Sequence, residues 1–357
     1  MKRSRLTGGI SVVAAGCLAL VGLGGFTSSG SSSSRAPRLG ETHREGIATA
    51  GRRAASDVTG SAPCASFSQT YSQPPTGFDP LTASTEDLES YGLPPRPDPS
   101  NAAATARWQL QATSAKQYVS PVGSCGGPGS NEFWDTDNFN WSGHTANNTD
   151  FGDVAFTWVT SNWVVPTVSP HSGYTDYKTA PDAPIWDGLG ITSLIQAGTD
   201  SAATTGTATY HFFFEDYPLN PDYITSLIPS PGDAVSVWVQ YEGSDSSYFF
   251  LEDLTTGYYT AFDSYTPYVG YNAVNFIQER TAHHFLPSYP DIVATENQFG
   301  DDEYDSWSLT TTNDISVMVG SDKCPNSPYT TLAEPTGVNN SDSSFTYQWY
   351  AGNPYCG

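Results

Sequence analysis

Beyond residue 130 this 357-residue chain has almost no positive charge. Lys178, Arg280 and Lys323 stand against 29 acidic residues, which gives residues 131–357 a formal charge of −26. That sign excludes binding of nucleic acid or anionic membranes through a basic patch. Such a domain repels itself at neutral pH and is relieved as carboxylates protonate, so it fits either a solubility device or an acid-adapted enzyme. Long apolar runs are lacking too. The one stretch, from about Ile10 to Leu23, is broken by Gly16 and Gly22 and follows Lys2, Arg3 and Arg5. That is the pattern of a cleaved export signal rather than a membrane anchor. Cys17 lies in a weak lipoprotein-like motif inside it. Cysteine is scarce: without Cys17, only Cys64, Cys125, Cys324 and Cys356 remain. An even count in an exported chain predicts two disulfides; neighbour pairing, Cys64–Cys125 and Cys324–Cys356, is one of three connectivities. None of their spacings resembles a zinc site.

The common catalytic signatures are absent as well. There is no Gly-x-Ser-x-Gly elbow, no His-Glu-x-x-His and no Asp-Thr-Gly or Asp-Ser-Gly tripeptide. The six histidines show no ligand spacing, and the tight pair His283-His284 reads as part of a loop. The run Asp301-Asp302-Glu303 with Asp305 lacks the glycine and spacing of an EF-hand loop and reads as a solvated acidic turn. No metal and no cofactor is expected.

What is present divides the chain into four parts. Residues 1–27 read as a signal peptide. Residues 28–63, rich in Ser, Gly, Ala and Arg, form a low-complexity linker. Residues 64–130 read as a pro-segment or N-terminal extension, largely irregular, with short helices over 85–92 and 102–118. From residue 131 to 357 the texture is all-β: short runs rich in Val, Tyr, Phe, Trp and Thr, separated by Asp, Asn, Gly, Ser and Pro turns. Strands are predicted at 154–164, 183–188, 192–198, 207–216, 234–242, 246–253, 257–262, 273–280, 291–298, 306–318 and 343–350. So many short strands with almost no helical periodicity predict two antiparallel sheets packed as a sandwich.

Two of these strands carry a polar residue in an apolar setting: Leu194-Ile195-Gln196-Ala197-Gly198 and Phe276-Ile277-Gln278-Glu279. Alternation puts Leu194, Gln196 and Gly198 on one face, and Asn275, Ile277 and Glu279 on one face. If the two faces share a groove, Gln196 and Glu279 form a neutral–acidic pair, in which a carboxylate activates water and an amide N–H steadies an oxyanion. Taken alone, a Gln or a Glu in a strand is more often a surface residue.

Seven short motifs follow one family's order over residues 140–279. They are Asn140-Trp141-Ser142-Gly143, Val164-Val165-Pro166-Thr167-Val168-Ser169, Trp186-x-Gly188-Leu189, Leu194 to Asp200, Phe213-Phe214-Glu215-Asp216-Tyr217-Pro218, Leu254-Thr255-Thr256-Gly257 and Asn275 to Glu279. Together they resemble the glutamic peptidases, or eqolisins, here as a secreted bacterial member. The resemblance implies a concanavalin-like or glucanase-like β-sandwich and acid endopeptidase activity, with Gln196 and Glu279 catalytic. It also implies a peptide groove lined by Trp141, Trp186, Phe213 and Glu215, protein or peptide substrates, and a monomer outside the cell. Taken without the resemblance, Trp141 and Trp186 read as core fillers rather than groove residues, and Glu215 as an acid that orients Gln196 or the water or as a surface group. The chain departs from the family where Gly190 replaces an Asp and where Arg280 follows Glu279, which leaves an inactive homologue as an alternative. A Gln partner avoids the repulsion between two close carboxylates, so Glu279 is predicted to stay ionised in mild acid. Two alternatives stand beside the peptidase: a glycoside hydrolase with Glu215 and Glu279 as its pair, and a glycan-binding module.

Overall fold

The computed structural model describes residues 66–125, 140–170, 180–191, 193–217, 219–266, 272–281, 285–301, 306–310, 314–319 and 331–351. The chain divides after Asp57, and every described residue belongs to the second unit. The signal peptide, the linker, Cys17, Cys64, Cys324, Cys356, His283, His284, Asp302, Glu303 and Asp305 lie outside the described residues.

The N-terminal segment supplies β1 (Phe67–Thr70), α1 (Thr85–Ser90), α2 (Ala102–Ser114), β2 (Gln117–Tyr118) and β3 (Gly123–Cys125). The central run supplies β4 (Trp141–Asn147), β5 (Trp158–Val164), β6 (Ile185–Leu189), β7 (Ile195–Thr204), β8 (Thr207–Asp216), β9 (Asp222–Ile224), β10 (Ala234–Gly243), β11 (Ser246–Asp253), β12 (Tyr258–Tyr265) and β13 (Ala273–Glu279). The last part supplies β14 (Ile292–Gly300), β15 (Ser306–Ser308), β16 (Asp314–Ser316), β17 (Met318–Val319), β18 (Thr331–Pro335) and β19 (Phe345–Trp349). They form two sheets. The first runs β1-β12-β11-β10-β5-β14-β19-β18-β17, with β15 on β14 and β2 on β12. The second runs β16-β4-β13-β6-β7-β8-β9-β3. Pairing is antiparallel except for the short β2–β12 contact.

Alternation decides which side chains enter the core. On β8, Phe212 and Phe214 turn inward and Phe213 and Glu215 turn outward. Phe214 meets Phe262 and Phe249 of the facing sheet, with ring centroids 4.6 and 5.2 Å apart. Each fully buried ring of this kind is worth roughly 1.5–3 kcal/mol. Two polar contacts cross the same interior. Trp163 donates its indole N–H to Thr199 Oγ1 at 2.9 Å, and Ser161 Oγ donates to the Asp187 carboxylate at 2.7 Å. Burial pushes the Asp187 carboxyl up to about 7.

The sandwich begins before residue 131, because β1, β2 and β3 are strands of the two sheets. The extension has no core of its own and borrows one. Leu88, Leu93, Trp108, Ala112 and Tyr118 pack on Trp238, Tyr248, Phe250, Tyr259 and Ala261, the outward face of the first sheet. Asn101 caps α2 by accepting the Ala104 N–H at 3.0 Å. One turn in, Arg107 is buried: its Nη1 donates to Glu296 O at 2.7 Å, and its Nη2 to Thr160 Oγ1 and to Asn162 Oδ1 at 3.1 Å. Glu296 lies in a bulge of β14 with φ 56°, which aims its carbonyl at the guanidinium.

Two expectations are corrected. The helix over 102–118 stops at Ser114, because the N–H groups of Lys116 and Gln117 turn to Gly257 O and Gln117–Tyr118 joins β12. The strand over 306–318 is three short pieces. Their segment leaves β14 in the first sheet, visits β4 in the second and returns to β18, so no single ladder can hold it.

Candidate active site

The second sheet has an outward face that reads as a grid. Antiparallel register lines up Thr145, Asn275, Gly188, Gln196 and Glu215 in one row across β4, β13, β6, β7 and β8. The next row holds Gly143, Ile277, Trp186, Gly198, Phe213 and Tyr223. In a third, Trp141 stands opposite Glu279, and Asp200 stands opposite His211. Gln196, Glu279, Glu215, Trp141, Trp186 and Phe213 therefore share one face, as alternation requires.

The middle row is the apolar floor. Trp186, Leu194, Phe213 and Ile277 form a cluster with half-buried Trp141, Tyr217 and Tyr223 against it. Trp141 and Trp186 meet edge to face at 5.2 Å, so neither enters the inter-sheet core. Two glycines let the strands close up here. A Cβ on Gly198 would lie 1.9 Å from Ile185 O, and one on Gly143 would lie 2.0 Å from Phe276 O. Gly198→Ala is expected to lower stability by about 3 kcal/mol, the upper end for overpacking. Calorimetry should show this as a drop in Tm of roughly 6–12 °C; an unchanged Tm would mean that the strands separate without strain.

Polar groups rise from this floor. Trp186 Nε1–H donates to Glu279 Oε2 at 2.8 Å, and Trp141 gives Glu279 a further hydrogen bond. Gln196 Nε2 donates to Glu215 Oε2, while Gln196 Oε1 is buried without a partner. Gln196 is 2% exposed, Glu279 4% and Glu215 1%, so the cluster is nearly dry. Burial, then the charge of Glu215, pushes the Glu279 carboxyl up to about 8, against the pull of the two indole hydrogen bonds; Asp182 adds to the rise. This corrects the electrostatic expectation. The amide of Gln196 does replace one acid, but Glu215 stands behind it and restores the like-charge neighbour, so Glu279 is protonated in mild acid in this state.

Alternation along β7 carries the site further than Gln196. Asp200, four residues on, accepts from Tyr223 OH at 2.5 Å, and its other oxygen is buried without a partner. Burial and the charge of Asp182 push its carboxyl up to about 8. Asp182 accepts from Thr281 Oγ1 at 2.5 Å. Asp200 was findable in the sequence, since it shares the parity of Gln196. Asp182 and Tyr223 were not, because they come from an isolated bridge and a three-residue strand. At the opposite end Asp314 of β16 stands across from Thr145. Gly190 adopts φ 92°, and its carbonyl accepts from Asn275 Nδ2 at 2.6 Å. Arg280 leaves the strand fully buried, with its N–H on Asn140 O at 2.7 Å. Cys125, at the edge of this sheet, is disulfide-bonded.

Comparison with the curated proteins finds no match. Among solved structures, the chain is similar to scytalido-glutamic peptidase with a transition state analog inhibitor, at 19% identity over 59% of this chain and 98% of that one, with a TM-score of 0.47. It is also similar to SCP-B, a member of the Eqolisin family, in complex with the tripeptide Ala-Ile-His (18% identity, 59% and 98% covered, TM-score 0.45). A third is aspergilloglutamic peptidase from Aspergillus niger (18% identity, 47% and 99% covered, TM-score 0.36). The model of the Peptidase A4 family matches residues 139–321, more than half of the chain and the stretch that builds the whole Gln196–Glu215–Glu279 cluster. The chain therefore belongs to the Peptidase A4 family, the glutamic peptidases or eqolisins, and is a peptide-bond hydrolase of that type.

Proposed function

We propose that this protein is an exported acid endopeptidase that works with a Gln196/Glu279 dyad positioned by Glu215. The observation that supports it is the shared outward face on which these three side chains meet above an aromatic floor. A peptide laid across that floor brings its scissile carbonyl between the amide and the acid. Water entering with it relieves the burial that keeps Glu279 protonated, and Glu279 gives its proton to solvent water. Glu279 then takes a proton from the water as its oxygen attacks the carbonyl carbon. The Gln196 amide nitrogen carries two hydrogens; Glu215 holds one, and the other donates to the oxyanion. Glu279 returns its proton to the leaving nitrogen, and the C–N bond breaks.

The glycoside-hydrolase and glycan-binding alternatives give way to family membership. Export rests on the basic start and the broken apolar run of residues 1–27, and fits disulfide-bonded Cys125. The substrates are proteins or peptides, and the working form is a monomer.

The test is the pH profile of protein hydrolysis in wild type and Glu215→Gln. The substitution keeps an oxygen for the Gln196 N–H but removes the negative charge beside Glu279. Activity that needs ionised Glu279 rises with pH through its pKa; removing a like charge lowers that pKa. The rising limb of kcat, which reports the substrate-bound state, is therefore expected to move about one pH unit toward acid. A limb that stays in place would separate Glu215 from Glu279, and wild-type protein that clears β-glucan but not casein would overturn the function itself.

A further inference from the structure

The outward face of the second sheet extends beyond the matched family region. Its last strand is β3, which precedes residue 139 and pairs with β9. Register sets Ser124 opposite Tyr223, so the floor row through Trp186, Phe213 and Tyr223 continues onto the N-terminal extension. The pairing starts one residue before the strand: Thr225 N–H donates to Val122 O at 2.7 Å, and Val122 N–H to Ser226 Oγ at 3.1 Å. Alternation then turns Val122, Ser124, Tyr223 and Thr225 outward, while Ile224 enters the core.

This end of the face is held in place. Asp222 accepts the Ser124 N–H, and Cys125 is disulfide-bonded. Tyr223 donates its OH to Asp200 at 2.5 Å, and its ring lies 4.5 Å from that of His211. Val122 stands diagonally across from this half-buried ring, within reach of one side chain. It is 55% exposed, whereas Trp186, Phe213 and Ile277 of the floor are at most 1% exposed. None of the four outward side chains carries a charge, on a domain with a net charge of −26. An uncharged strip with an uncovered valine, continuous with the floor that receives the peptide, suits an apolar side chain of that same peptide. Spacing says which one. Neighbouring strands lie about 4.8 Å apart, so β3, three strands beyond β7, is about 14 Å across the sheet from Gln196. An extended peptide advances about 3.3–3.6 Å per residue and covers that span in about four residues.

We propose that Val122 and Tyr223 form an outer subsite of the substrate cleft, which takes an apolar side chain about four residues from the scissile bond. The subsite rests on the peptidase reading above. It makes the N-terminal extension a working part of the enzyme, one that the active protein keeps.

Two octapeptides cleaved at the central bond test it, identical except for Leu or Asn at both ends. Both ends are changed so that either chain direction sets one of them on β3. In wild type kcat/KM is expected to be about tenfold higher for the Leu peptide. Val122→Asp should bring that ratio to about one, and Val122→Ile should keep it. Leu110→Asp, at an exposed apolar position of α2 over the other sheet, should keep it too. The ratio compares two substrates of one sample, so a loss of folded enzyme does not move it. Mass spectrometry of the active enzyme should find Val122 present. A ratio near one in wild type, a wild-type ratio that survives Val122→Asp, a ratio that falls equally in Leu110→Asp, or an active enzyme without Val122 would each overturn the subsite. Wild-type protein that cleaves neither peptides nor casein would overturn the peptidase reading, and the subsite with it.

Discussion

Glu279→Gln is expected to lower kcat by about 10²–10⁴-fold, the range that general acid–base catalysis supplies. The substitution preserves volume, and its amide oxygen still accepts the Trp186 N–H that now reaches Glu279 Oε2 at 2.8 Å. What it removes is the only proton carrier of the proposed cycle. The fold should not suffer, and a second readout separates the chemical role from a packing role. The folded Glu279 carboxyl titrates near 8, above the ordinary carboxylate range, so its contribution to stability is fully present in acid and is lost as pH rises toward and through 8. The Gln variant carries no such titration. Its Tm is expected to match wild type in acid and to fall less steeply between pH 5 and 8. Hydrolysis within about threefold of wild type would end the assignment of Glu279, since positioning alone does not replace a proton carrier.

Gln196→Ala ranks second, with an expected loss of about 10²–10³-fold in kcat, the usual effect of removing one oxyanion donor. KM should change little, because the lost hydrogen bond forms on the tetrahedral intermediate and not on the bound peptide. The substitution also takes from Glu215 the N–H it accepts. A loss confined to KM would reassign Gln196 to ground-state binding.

The shared face of Gln196 and Glu279 is legible because strand alternation and family motif agree at the same residues. Gln196 and Gly198 share a face on periodicity alone, and so do Ile277 and Glu279, and register brings both strands to β6. The β7–β8 hairpin is less plain: β7 runs to Thr204, past the end of the strand expected at 192–198, and Gly206 at φ 88° makes the tight turn. β4 is not legible as a strand although its motif is. Its sequence, Trp141-Ser-Gly-His-Thr-Ala-Asn147, is polar and glycine-bearing, and it is strand because β13 and β16 pair with it on both sides. The docking of the extension was not legible either. Arg107 looks like any exposed helical arginine; its burial depends on a carbonyl turned by a bulge in β14, 189 residues away. The ionisation of Glu279 was misread for a similar reason. Burial of the carboxyl raises it first, the charge of Glu215 across the sheet adds to that, and the one-residue view of a Gln partner leaves both out.

The buried acids of this fold make folding itself a reaction with protons. Asp187, Asp200, Asp216, Glu252 and Glu279 all titrate between about 6 and 8 in the folded protein, each raised first of all by burial. An unfolded chain at pH 5 has given up most of those protons, and on folding it must take them back from solvent. Acidification therefore drives folding by mass action, as a ligand drives the folding of the protein that binds it. The same chain at alkaline pH must either ionise its interior or open it.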